Sequence, residues 1–172
     1  MKGNRYGSSP ILWGGSWVYP PYSAGPSYNT RLQAGPAADT DTASLIRELA
    51  KAINGEYNAI RTYEWLAREA PDEEFRKIIS DIKQDEEHHF RLFSSYYSQL
   101  TGGRKPEIKA GPLPESFVKG VEESIKDELE DSKSYQRLSE IVPLPLRRGL
   151  INASHDEQRH ATWFSYIWNR TR

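Results

Sequence analysis

The sequence predicts an all-α protein, a bundle of four long helices preceded by an irregular N-terminal arm. Three observations lead there. Between Asp39 and the C-terminus, apolar residues recur at steps of three and four in four separate stretches. The stretches are parted by Pro71-Asp72, by Gly102-Gly103 with the Pro-rich run that follows, and by Pro143 with Pro145. The second half then repeats the spacing of the first, as a pair of helical hairpins would.

Residues 1–38 differ in composition from the rest of the 172-residue chain. Tyr6, Trp13, Trp17, Tyr19, Tyr22 and Tyr28 stand among Gly, Pro and Ser, and no helical or strand period survives. Such a segment is either a disordered or loosely docked arm, or one whose aromatic rings pack on the bundle, a neighbouring subunit or a larger assembly. Residues 39–172 form the expected bundle.

Thr40, Asp41 and Thr42 offer N-caps for the first helix. Its stripe is Leu49, Ile53, Glu56, Ile60, Tyr63 and Leu66, running to about Ala70. After the Pro71-Asp72 turn, the second stripe is Phe75, Ile79, Ile82, Glu86, His89, Phe93, Tyr96 and Leu100. Residues 102–114 form a linker rich in Gly and Pro. A helix of about 28 residues is 42 Å long, and 13 extended residues reach roughly 43–47 Å. The linker can therefore just run the length of the bundle and make the second and third helices parallel. The third stripe is Phe117, Val121, Ile125, Glu128, Tyr135 and Leu138, ended by Pro143 and Pro145. The fourth is Leu146, Leu150, Ala153, Glu157, His160, Phe164 and Trp168.

Acids and imidazoles interrupt these stripes in a repeated pattern. Asp85-Glu86-x-x-His89 recurs as Asp156-Glu157-x-x-His160, and each copy follows a lone Glu, Glu56 or Glu128, at nearly the same distance. Residues three apart share a helix face, so each Glu-x-x-His can close on one ion. Glu56 and Glu128, from neighbouring helices, are expected to bridge two ions. Burying an uncompensated carboxylate costs several kcal/mol or forces protonation. Two divalent cations would neutralise the four carboxylates. Carboxylate and imidazole without thiolate suit iron or manganese; zinc prefers fewer ligands.

His88 is the register rival of His89, but the second copy has Arg159 at that position. His155 should point away from the stripe, as a surface residue or a support to the ligands. Asp85 and Asp156 are read as acceptors for the imidazole N–H of the opposite hairpin, fixing tautomer and orientation. Tyr63 and Tyr135 lie on the ligand face. They are either core aromatics or donors to ligand carboxylates that supply a proton or an electron.

Composition narrows the classes. With 24 acidic and 23 basic residues and net charge −1, no nucleic-acid or membrane partner is implied. Cysteine is absent, which excludes disulfides and thiolate metal sites. No apolar run approaches the ~20 residues of a membrane span, and no signal peptide is expected. A cytoplasmic protein is the default expectation.

At Glu56, Glu86/His89, Glu128 and Glu157/His160 the chain resembles the ferritin-like superfamily, in particular its rubrerythrin and bacterioferritin type of diiron site. The resemblance covers about residues 42–170 and includes Tyr63, seven residues after Glu56. It implies a ferritin-like four-helix bundle with one long crossover between helices 2 and 3. It also implies oxidation of Fe(II) by O₂ or H₂O₂, or peroxide reduction, with two metal ions as cofactor (iron first, manganese second) and a separate electron donor. The rubredoxin module of rubrerythrins is missing, and so is their additional carboxylate three residues before Glu128, where Ile125 stands; Asp131 is the candidate in its place. The alternative is a non-catalytic iron-binding, assembly or coat protein that uses the aromatic arm, as a homo-oligomer or in a larger structure.

Overall fold

The computed structural model describes residues 38–172, with side chains from Thr42 onward. The arm expected over residues 1–38, including Tyr6, Trp13 and Trp17, lies outside the described residues except for Ala38. Four helices make up the described part: α1 (Ala38–Glu69), α2 (Glu73–Thr101), α3 (Phe117–Ile141) and α4 (Leu144–Thr171). No strand occurs among the described residues, and none of their helices is long and apolar enough to cross a membrane.

Local chemistry sets the boundaries. The Asp72 carboxylate accepts from the Phe75 N–H at 2.9 Å and caps α2. Gly102 and Gly103 end α2 at φ 69° and 94°, a left-handed turn that side-chain-bearing residues resist. Ser116 caps α3 by accepting from the Lys119 N–H at 3.3 Å. Two boundaries differ from expectation. The first helix begins at Ala38, ahead of Thr40, Asp41 and Thr42, so none of the three stands at its start. Pro145 does not end α3; it sits in the first turn of α4, where its missing N–H costs nothing.

The core is two apolar clusters. One joins Leu49 and Ile53 of α1, Phe93 and Tyr96 of α2, Tyr135 and Leu138 of α3, and Leu146 and Leu150 of α4. The other joins Leu66, Phe75, Ile79, Val121, Phe164 and Ile167. The first thus gathers the N-terminal halves of α1 and α4 with the C-terminal halves of α2 and α3. Hence α2 and α3 run parallel, and residues 102–116 travel the bundle's length between them. Side chains on α1 hold this crossover. Asn54 accepts from the Lys109 N–H at 2.7 Å, Asn58 accepts from the Gly111 N–H at 2.7 Å, and Arg61 donates to the Gly111 carbonyl at 2.8 Å. Between the two clusters, halfway along the bundle, the buried residues turn polar.

Candidate metal centre

Six side chains of ligand type meet at that level. Glu56 comes from α1, Glu86 and His89 from α2, Glu128 from α3, Glu157 and His160 from α4, and none is more than 3% exposed. The i, i+3 spacing turns each Glu and His pair inward together. His89 Nδ1 lies 3.0 Å from Glu86 Oε2 and 3.1 Å from Glu157 Oε1. His160 Nδ1 lies 3.0 Å from Glu157 Oε2 and 2.8 Å from Glu86 Oε1.

The donor atoms form two overlapping groups, Glu56–Glu86–His89–Glu157 and Glu86–Glu128–Glu157–His160, each within 4.8 Å. Glu86 and Glu157 belong to both. The carboxylates common to both groups are thus those of α2 and α4, whereas the spacing led to the expectation that Glu56 and Glu128 bridge. The cause is tertiary. Glu86 and Glu157 each lie beside both imidazoles, whereas Glu56 and Glu128 are each held by a tyrosine from the helix opposite. Tyr63 of α1 donates to Glu128, and Tyr135 of α3 donates to Glu56.

The outward imidazole nitrogens are also partnered across the bundle. His89 Nε2 is 3.4 Å from Asp156 Oδ2, and His160 Nε2 is 3.2 Å from Asp85 Oδ2. Both aspartates thus fix a ring contributed by the other hairpin and leave Nδ1 directed at the cluster. His88 and His155 are exposed.

The electrostatics of the protein groups press this cluster toward holding protons. Burial, then the charges of Glu86 and Glu157, pushes Glu56 well above the usual carboxylate range. Burial and Glu86 do the same to Glu128. Burial would raise Glu86 too, yet the adjoining imidazoles of His160 and His89 hold it at about 2. Burial would lower the imidazoles, but the surrounding carboxylates raise both far above the ordinary histidine value. Tyr63 and Tyr135 are raised well above the ordinary phenol value, first by burial and then by Glu128 and Glu56 respectively.

Two atoms remain unpartnered. Glu86 Oε1 and Glu157 Oε1 are buried and accept no hydrogen bond. Each is close to an imidazole Nδ1 without the direction a hydrogen bond needs, so carboxylate oxygens and ring nitrogens face common ground. Ligands of one cation are arranged in this way, and an acceptor left bare costs about 1–3 kcal/mol or more. The donor set fits a pair of divalent cations of oxygen and nitrogen preference.

A cavity of about 210 Å³ opens between α1 and α3 onto Glu56, Glu86, Glu128 and Glu157. The histidines do not line it, so it reaches the cluster from the side away from them. Its two walls differ. On α1 stand Gly55, Asn58, Ala59 and Thr62; on α3 stand Ser124, Asp127, Glu130 and Asp131. Asp131 makes no hydrogen bond or ion pair among the described residues, and burial followed by the charge of Glu157 pushes it up to about 7. Asp127 and Glu130 were not selected from the sequence, although their offsets from Glu128 place them on its flanks.

Comparison with known proteins agrees with this picture. The rubrerythrin family model matches residues 48–121, which hold Glu56, Glu86 and His89. YhjR of Bacillus subtilis (strain 168) is 41% identical over 123 residues, covering 71% of this chain and 85% of YhjR. A ferritin-like–encapsulin shell fusion protein of Pyrococcus furiosus is 30% identical over 92 residues, 54% of this chain and 27% of the fusion. A crystal structure of ferritin-like diiron-carboxylate proteins from Bacillus anthracis superposes with TM-score 0.66 at 23% identity, over 75% of this chain and 98% of that one. A hypothetical protein of Pyrococcus furiosus gives TM-score 0.66 at 21% identity, over 78% and 92% respectively. The likeness to both solved structures is one of fold.

Proposed function

Because the chain belongs to the ferritin-like superfamily, we propose that its buried cluster holds two metal ions, iron first and manganese second, and that the protein oxidises Fe(II) or reduces O₂ or H₂O₂ there. The observation that carries this reading is the pair of unpartnered oxygens, Glu86 Oε1 and Glu157 Oε1, on the two carboxylates common to both ligand groups. Four carboxylates in one core are tolerated when cations offset them.

Each residue has a part. Glu86 and Glu157, common to both ligand groups, would help to hold both ions. Glu56 with His89 would complete one ligand set, and Glu128 with His160 the other. When bound, the metal pair supplies the electrons for dioxygen or peroxide reduction. Tyr63 and Tyr135 hold Glu128 and Glu56 in place and present the O–H groups closest to those carboxylates, so they are the proposed proton source. Asp85 and Asp156 keep the imidazoles oriented. The cavity between α1 and α3 admits the small oxidant and the ferrous substrate, with Asp131 as a further carboxylate at its wall. The reaction is placed in the cytoplasm, where reducing conditions keep ferrous iron available and a separate donor returns electrons.

The test is anaerobic loading with Fe(II), followed by exposure to O₂ or H₂O₂ with absorbance recorded in time. Oxidation faster than the protein-free buffer, and abolished by Glu86→Ala, supports the reading. A rate equal to buffer rejects it.

A second reading is favoured by the likeness to the Pyrococcus furiosus fusion, whose name joins a ferritin-like part to an encapsulin shell. On it, the chain binds iron as a member of a larger assembly, with residues 1–38 as the joining segment. Deleting that segment separates the two: an enzyme keeps its oxidation rate, an assembly protein loses its oligomer or shell.

A further inference from the structure

Arg159 breaks the two-fold repeat of the ligand helices. It lies on α4 next to His160, and the matching position on α2 is His88. Its guanidinium donates through Nη1 to Asp156 Oδ1 at 2.6 Å and through Nη2 to Asp85 Oδ2 at 2.9 Å. Those are the two aspartates that receive the imidazole nitrogens. The hydrogen bonds therefore form one unbroken line, from His89 through Asp156, Arg159 and Asp85 to His160. His88 makes no hydrogen bond to either aspartate among the described residues, so nothing on α2 duplicates the link.

We infer that Arg159 is a positioning residue for both ligand sets at once. The inference rests on the reading that His89 and His160 hold metal. A carboxylate on an exposed helix face has several rotamers, and a ring that depends on it inherits that freedom. A planar guanidinium presents a rigid fork, and here each prong fixes a different carboxylate. One side chain thereby restricts both aspartates and, through them, the ring planes of both histidines. Arg159 touches neither ligand set, and it is half exposed, with 51% of its side chain accessible. As an isolated surface ion pair it would contribute little to stability. Its contribution is instead the orientation of two groups that are buried behind it.

Cadmium-113 provides a probe of ligand geometry that is independent of turnover. The full chain is titrated with ¹¹³Cd²⁺ and its NMR spectrum recorded, with affinity measured against a competing chelator. Wild-type protein should give two resonances. Failure to bind two cadmium ions removes the metal reading itself. Given two resonances, Arg159→Gln should move both and weaken both affinities by about tenfold, the usual lower range for loss of a group supporting metal ligands. Asp156→Asn should move chiefly the resonance lost in Glu56→Gln, and Asp85→Asn the resonance lost in Glu128→Gln. The lysine variant, Arg159→Lys, keeps the charge without the fork and should leave at least one resonance displaced. Two unmoved resonances in Arg159→Gln, a shift of only one, or full recovery in Arg159→Lys would each overturn the inference while leaving the metal site standing.

Discussion

The Tyr63 hydroxyl of α1 donates a hydrogen bond to the Glu128 carboxylate of α3. Tyr135 returns the arrangement from α3 to Glu56 on α1, so the two antiparallel helices are cross-linked twice at the level of the cluster. Tyr63→Phe keeps the ring packed against Phe164 and removes one donor from a buried acceptor. The expected cost is about 1–3 kcal/mol in the chelator-treated protein, read as a lower denaturant midpoint. Tyr135→Phe should cost a similar amount, and the two should add, because they act on different carboxylates. Bound metal should be retained in both, with slower oxidation if the hydroxyls supply protons.

Sharing of ligands makes a prediction about stoichiometry. Glu56 serves one ligand group and Glu86 serves both. Glu56→Gln should therefore leave one ion tightly held, whereas Glu86→Gln should weaken both. Elemental analysis after dialysis against a mild chelator distinguishes the two. Equal losses in both variants would contradict the assignment of bridging carboxylates.

Two of the shifted groups act on stability against pH with opposite sign. Asp131 holds its proton up to about 7, against an ordinary value of 3.8. A raised carboxyl stabilises the fold below the ordinary value, and that contribution is lost as pH rises through the folded one. Glu86, held at about 2 against an ordinary 4.5, stabilises above 4.5 and loses its contribution as pH falls toward 2. Chelator-treated protein should accordingly lose stability between about pH 5 and about pH 8, and Asp131→Asn should flatten that slope. Urea midpoints at the two pH values check it. An Asp131→Asn slope identical to wild type would show that Asp131 ionises normally.

Asn58 carries two hydrogen bonds to the crossover, accepting from the Gly111 N–H and donating to the Lys109 carbonyl at 3.0 Å. It also stands on the neutral wall of the cavity. Asn58→Ala should free residues 104–114 before it unfolds the bundle. Hydrogen exchange in that segment should rise several-fold while α1 and α2 stay protected. The global loss should stay within about 1–3 kcal/mol.

Much of this was legible in the sequence because one physical pattern carries both fold and site. Apolar stripes with helical period give the four helices, and Glu56, Glu86, His89, Glu128, Glu157 and His160 are noticed because they sit in stripes where charge is costly. The hairpin repeat then sets them opposite one another. Spacing along a helix cannot say which of four facing carboxylates reaches across the axis. That depends on distances between helices, which set Glu86 and Glu157, not Glu56 and Glu128, in both donor groups. The link through Arg159 was equally invisible, since an arginine beside a histidine reads as a solvated face. The acidic wall of Asp127, Glu130 and Asp131 gains meaning only from the small residues Gly55 and Ala59 opposite, which leave the cavity open.

The central claim is that paired cations balance this buried cluster. It is tested most directly by crystals of protein loaded in its own cells, with anomalous scattering recorded at the iron and manganese edges. The account predicts two peaks, both flanked by Glu86 and Glu157, one beside His89 and the other beside His160. A single peak, no peak, or ions bound away from these carboxylates would contradict it.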